Sequence, residues 1–206
     1  AYNPYDFSGL RACEARVWSF FRTFDKSMDK YKKHIMGDAS EEPMPLYIIP
    51  DRKVSLADVR EGMRNHYEGT ELSMTNDPGA GAYKVPYRWR PMTFKSEGRE
   101  YFNERAIATQ QTGFVLIAQM RSWLPDVVGG ILWFGVDDAN TAVLTPMYAS
   151  ITEIPECYRR GNGSMTEFSW TSAFWIHNWV ANMAYNRYEP MIRDIRPVQK
   201  ELEDSY

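Results

Sequence analysis

Cysteine and histidine are scarce in this chain. Two cysteines, Cys13 and Cys157, make neither a disulfide framework nor a metal-binding pattern. The three histidines, His34, His66 and His177, are too scattered for zinc-type spacing. A basic surplus is also missing. The formal charge of −3 argues against a nucleic-acid binder, and the one dense basic run, Lys30–His34, reads as the solvated end of a helix. No window reaches the ~18 apolar residues needed to span a bilayer. No signal peptide stands at Ala1, and a trimmed chain would lack one. There is no nucleophile elbow, phosphate loop, metal box or Gly-rich dinucleotide turn. Internal repeats and low-complexity segments are absent as well. The expectation is a protein without metal, cofactor, nucleic acid or membrane partner. It should be soluble, in a cytoplasmic or bacterial periplasmic or secreted location that the sequence leaves open.

What is present is apolar and aromatic. At 206 residues, with 44% hydrophobic and 15% aromatic content, the chain has ample length for a core, read here as a single domain over 1–206. Its organising stretch is Gly113–Ile151. Phe114–Met120, Gly130–Val136 and Thr141–Ser150 are three β-rich runs joined by short turns, which favours antiparallel pairing. Their nearly continuous apolar character predicts a sheet covered on both faces. Ala106–Gln111 is expected to extend the first strand backwards, and Leu46–Ile49 is a candidate short strand.

Helices flank this core. Val17, Phe21, Phe24, Met28, Tyr31 and Ile35 recur at spacings of three and four, predicting one helix over Leu10–Met36 with Gly37 as its stop. Ser55 opens a second helix to about Tyr67, with Asp58 bonding back and Gly69 closing the exit. Trp170–Tyr188 is apolar around much of its circumference and should be deeply buried. Its polar row, Asn178, Asn182 and Asn186, reads as a hydrogen-bonding seam against another element. Pro190 should end that helix, and Met191–Leu202 adds an amphipathic segment interrupted at Pro197. Residues 71–100 read as a long loop rich in Pro, Gly and aromatic rings, either a lid over a pocket or a loop packing its own rings. The fold class is α+β.

Candidate chemistry is sparse. Arg121 follows the most apolar strand and must reach water, a carboxylate or a ligand. Its guanidinium could bind a ligand carboxylate, stabilise an oxyanion, or form a structural ion pair with a nearby Asp. Asp137 and Asp138 read as builders of a hairpin turn. Trp133 and Tyr148 read as core, and Cys13 as a buried small residue.

The ordered segments Asp58–Thr70 (DVREGMRNHYEGT), Gly79–Pro91 (GAGAYKVPYRWRP), Phe114–Pro125 (FVLIAQMRSWLP), Gly129–Asp138 (GGILWFGVDD), Pro146–Pro155 (PMYASITEIP) and Ser172–Ala184 (SAFWIHNWVANMA) resemble the bacterial dipeptidase A family. These are secernin-related cysteine dipeptidases of the N-terminal-nucleophile hydrolase superfamily. The resemblance covers most of this chain and only the later part of a family member. It implies a four-layer αββα sandwich that hydrolyses dipeptides through an N-terminal Cys, whose α-amino group serves as base. Here residue 1 is Ala, and Cys13 and Cys157 are internal. The nucleophile is therefore expected outside this chain, on an N-terminal segment or chain of the same enzyme, with these 206 residues inactive alone. Homo-oligomerisation is left open. The competing readings are a non-catalytic peptide- or glycan-binding module using the aromatic loop, and an assembly subunit that touches no substrate.

Overall fold

The computed structural model describes residues 6–38, 42–88, 93–102 and 104–206. Of the entry strand or loop expected over Ala1–Ser8, residues 1–5 lie outside them, as do the Trp89 and Pro91 positions of the aromatic loop. Helices and antiparallel sheets combine in an α+β fold, as expected. The contacts gather into two compact units, Ala1–Ile107 and Ala108–Tyr206. No Pro-, Gly- or Ser-rich linker marks the boundary, so a sequence read as a single domain gives no sign of it.

In the first unit, the single helix expected over Leu10–Met36 is divided. A short α1 (Phe7–Gly9) leads through a π-helical turn (Leu10–Glu14) into α2 (Ala15–Phe24). The chain then extends at Asp25 (φ −149°, ψ 107°) before a 3₁₀ turn (Lys26–Tyr31) and α3 (Lys32–Ile35). The reason for the break is local. The Asp25 side chain accepts from the Ser27 N–H at 2.8 Å, a turn bond that competes with helix continuation. The buried face also shifts from the expected one: Trp18, not Val17, lies at its centre, with its indole N–H donating to the Met28 carbonyl at 2.8 Å. Gly37 takes the left-handed stop (φ 110°).

α4 (Leu56–Met63) starts on the expected capping box. Asp58 accepts from the Ser55 N–H at 2.8 Å, and the Asp58 N–H donates to the Ser55 hydroxyl at 3.2 Å. Arg52 grips the same carboxylate at 2.7 and 2.8 Å, and its hydrogen bonds hold the Asp58 carboxyl well below the usual range.

Leu46–Ile49 forms no strand and is exposed. Residues 71–100 are not loop throughout. Their end folds into β1 (Thr93–Ser96), which pairs with β2 (Arg99–Phe102) across Glu97 and Gly98, both at positive φ as a tight hairpin turn requires. Earlier in the same stretch Tyr87 is buried, so part of it packs its own rings into the core with Tyr67, Leu72 and Met74.

The second unit is built on β3 (Phe114–Met120), β4 (Gly130–Val136) and β5 (Thr145–Tyr148), in that spatial order and all antiparallel. A short α5 (Asp126–Gly129) lies in the first connection. Ala106–Gln111 does not extend β3; it bends and turns instead. β5 is shorter than Thr141–Ser150 because the Thr141 and Ala142 N–H groups both turn back onto the Asp138 carbonyl.

Burial on both faces is not met. Val115, Ile131 and Trp133 are buried on one face, while Phe114, Leu116 and Met120 are exposed on the other. A run of apolar side chains reports what each face could bury, not what covers it.

α6 (Ala173–Asn186) and α7 (Tyr188–Asp204) follow. The break falls at Arg187 (φ −145°, ψ 58°), and Pro190 sits in the first turn of α7, where its missing N–H is not needed. Pro197 is accommodated inside that helix. α6 is not deeply buried. Ala173, Ala181, Ala184 and Tyr185 are covered, whereas Phe174, Trp179 and Met183 are exposed. Its asparagine row turns inward on the helix: Asn178, Asn182 and Asn186 donate to the carbonyls four residues earlier at 2.7, 2.7 and 2.9 Å. Only Asn182 reaches another segment, accepting from Gln110 Nε2 at 2.6 Å.

Candidate active site

The turn that leaves β4 holds the densest buried polar structure of the second unit. Asp137 has φ 69°, a left-handed conformation that Asp tolerates better than most residues with a side chain. Its N–H donates to the Gly113 carbonyl at 2.9 Å, which pins the turn to the residue before β3. Burial, reinforced by the charge of Asp138, pushes the Asp137 carboxyl up to about 6. Asp138 and Asn140 are wholly buried.

Two tyrosines from the helical layer meet this turn. The Tyr185 hydroxyl donates to Asp138 Oδ2 at 2.6 Å, and the Tyr188 hydroxyl to Asn140 Oδ1 at 3.0 Å. α7 supplies the other partners. Gln199 Nε2 donates to the carbonyls of Asn140 and Ala142 at 3.2 and 2.6 Å, and Glu203 Oε1 accepts from the Leu144 N–H at 2.8 Å. Buried peptide groups that lack sheet partners are satisfied this way. Reading Asp137 and Asp138 as turn builders agrees with this geometry. Sequence reasoning missed Tyr185, Tyr188, Gln199 and Glu203. The available signal was their spacing on helices expected to face the sheet.

Gln199 also lines a cavity of about 590 Å³ between α6, α7 and the segment entering β5. Val143, Ile176, Val180, Ile195, Val198 and Leu202 supply aliphatic side chains to its wall. Its size and apolar character suit a small ligand or one part of a larger one. Cys157, His177 and Asp194 also line it. Burial lowers the pKa of His177, so its imidazole is neutral at pH 7. Burial pushes the Cys157 thiol up, which favours the unreactive protonated form. Cys13 lies in the π-helical turn, with Arg16 Nη2 3.9 Å from its sulfur. Among the described residues, no group of three His, Cys, Asp or Glu side chains is placed to hold a metal ion.

Arg121 stands at the opposite end of the β3–β4 hairpin. Its N–H donates to the Gly129 carbonyl at 2.9 Å, and Nη2 reaches the Val128 carbonyl, so the side chain folds over the turn containing α5. No carboxylate pairs with it among the described residues. The β3–β4 register runs from Phe114↔Val136 to Met120↔Gly130. Seven residues of strand separate Arg121 from Asp137 by roughly 25 Å at ~3.4 Å per residue. An extended dipeptide spans about 7 Å, so these two groups cannot hold one substrate together. Trp133 is buried and donates to Gln119 Oε1 at 3.1 Å, as a core residue, and Tyr148 is partly exposed on the edge strand.

A family model described as Peptidase family C69 matches residues 1–201. The chain is 27% identical over 201 residues to a probable dipeptidase B of Lactococcus lactis subsp. lactis (strain IL1403), covering 95% of this chain and 36% of that protein. It is 24% identical to a probable dipeptidase of Latilactobacillus sakei, covering 83% and 35% respectively. Dipeptidase A of Lactobacillus helveticus is 21% identical, over 93% of this chain and 33% of that protein. The chain thus spans about a third of the length of these curated relatives. The match of the family model to residues 1–201, nearly the whole chain, makes this chain a member of peptidase family C69.

Proposed function

We propose that these residues form a later segment of a dipeptidase whose cysteine nucleophile is supplied by sequence outside them. The carrying observation is the C69 match over nearly the whole chain, joined to relatives that are named dipeptidases. Cys157 supports the second half of the reading: its thiol is held protonated, and as an internal residue it has no free α-amino group to act as its base. In the proposed reaction the N-terminal thiolate attacks the peptide carbonyl carbon, the C–N bond breaks, and the leaving amine takes the proton held by the α-amino group. Water then hydrolyses the thioester. The sheet β3–β4–β5 contributes to an αββα sandwich completed by the remaining segment. A peptide- or glycan-gripping role for residues 71–100 finds less support, since Tyr87 is buried.

Arg121 is proposed to meet the substrate carboxylate or the developing oxyanion. The Val128 carbonyl fixes one edge of its guanidinium and leaves other N–H groups to offer. The test uses the complete protein, assayed on di- and tripeptides. Cys13→Ala and Cys157→Ala are expected to leave dipeptide hydrolysis near normal, while a thiol reagent abolishes it by labelling a different cysteine. Loss of turnover in either variant with the fold intact overturns the external nucleophile. Arg121→Lys keeps the charge and loses the planar fork. A deficit of about 2–4 kcal/mol is expected, roughly 30- to 1,000-fold in kcat/KM, with little change in melting. Normal kcat/KM with a depressed melting point would make Arg121 a brace for its turn.

A further inference from the structure

The outer face of α6 is unlike an ordinary solvated helix face. Met165 (87% exposed) and Trp170 (65%) from the preceding loop adjoin Trp179 (52%), Phe174 and Met183 on the helix. These groups are ordered. Phe168 packs against Trp170, Trp175 and Trp179 with ring centroids 4.6, 5.4 and 5.9 Å apart, and Trp170 lies 5.3 Å from Trp179. The indole N–H of Trp175 ties the loop down through the Ser164 and Glu167 carbonyls at 3.0 and 2.9 Å. The patch surrounds a groove of about 390 Å³ whose lining holds aromatic, Met and Asn side chains and no charged one.

We infer that this face is a two-fold interface with a second copy of the chain. Four observations choose that occupant. First, α6 already covers β4, and its buried residues Ala173, Ala181, Ala184 and Tyr185 lie on the side away from the patch. The patch is therefore the side of α6 turned away from the sheet that this helix packs on. Second, an uncharged surface can meet its own copy without like-charge repulsion. Its composition, aromatic and Met with charged groups absent, is that of a self-associating interface core.

Third, the area fits. At roughly 150–250 Å² per large side chain, these exposures amount to about 450–750 Å² of apolar surface. A standard interface takes ~800 Å² from each partner, and a polar rim would supply the rest. Fourth, the patch carries both a projection and a recess, as an isologous contact requires. Trp170 projects, and its indole N–H has no acceptor among the described residues. Asn178 lines the groove, and its amide nitrogen is engaged by the Phe174 carbonyl, which leaves its Oδ1 to accept. Trp170 of one copy enters the groove of the other and donates to Asn178 there.

The test is sedimentation velocity of the complete protein from nanomolar to tens of micromolar concentration. A dimer is expected in the micromolar range. Trp170→Ser removes the projecting ring and should weaken it at least about 30-fold, the scale of an interface hot spot. Met165→Glu is a second variant that folding should tolerate, since this side chain is almost fully exposed; it places two carboxylates across the axis and should also favour monomer. The unsubstituted protein gives a readout of its own, with acrylamide quenching of tryptophan emission rising on dilution through the dissociation range. A monomer at tens of micromolar, as would follow if the rest of the polypeptide covers this face, overturns the inference. So does a dimer that neither substitution disturbs.

Discussion

Asp137 combines a left-handed backbone with a buried carboxyl whose pKa is pushed up to about 6, chiefly by burial and then by Asp138. Because the folded pKa lies above the unfolded one, the native state binds the extra proton. Stability is full below about pH 4 and falls as pH rises through 6, beyond which the loss is complete. About two units correspond to roughly 2–3 kcal/mol at ~1.4 kcal/mol each. Asp137→Asn keeps both the tolerance for positive φ and an acceptor for the Asp138 N–H, so it should flatten this dependence. Chemical denaturation at pH 4.5 and 7.5 checks it: the wild type should lose stability across the interval, and the variant should lose about 2 kcal/mol less. An equal loss in both would place the titration elsewhere. The local sequence shows that a turn follows β4. It does not show the burial that makes this carboxyl hold its proton, because Tyr185 and Tyr188 arrive from more than forty positions away.

α7 is held to the sheet by side chains more than by apolar contact alone. Gln199 satisfies two buried carbonyls at once, and Glu203 satisfies one N–H. Gln199→Leu preserves bulk but strands both acceptors, and at about 1–3 kcal/mol per buried unsatisfied group it should destabilise by roughly 2–6 kcal/mol. Glu203→Gln retains an acceptor and should lose about 1 kcal/mol or less. Urea titration distinguishes them; equal effects would mean that helix packing, not these hydrogen bonds, sets the stability.

Elements of this kind divide cleanly by what sequence can express. β3, β4 and the capped α4 follow from periodicity and turn chemistry confined to a few residues. The division of Leu10–Met36 depends on one side-chain bond at Asp25, and the hairpin Thr93–Phe102 on a Glu-Gly turn less distinctive than Asn-Gly. At the candidate site, Arg121 is visible as a charge ending an apolar strand. The cavity beside Gln199 needs α6 and α7 brought together, which no local pattern encodes.

At the scale of the whole molecule, the second unit leaves an apolar face open. β3 lies at a sheet edge, and Phe114, Leu116 and Met120 are exposed along it. Free edge groups next to apolar side chains drive association. The 206-residue chain on its own should therefore scatter light as a concentration-dependent aggregate. Leu116→Lys should relieve this, since a charge on the open face of an edge strand opposes association there. A clean monomer of the unsubstituted chain would mean that the open face tolerates water. If the sheet face is covered in the complete protein, the same Leu116→Lys should destabilise it.

The placement of the indoles has an optical consequence. Trp18 is sealed from solvent and hydrogen-bonded to Met28, whereas Trp123, Trp133, Trp170, Trp175 and Trp179 all belong to the second unit, three of them largely in water. Intrinsic emission from the folded chain is thus weighted towards long wavelengths, and selective red-edge excitation addresses mostly the second unit. A fluorescence melt reports chiefly on the sheet and its two helices. The surroundings of Trp18 in the first unit could open while the spectrum remained dominated by the five indoles of the second.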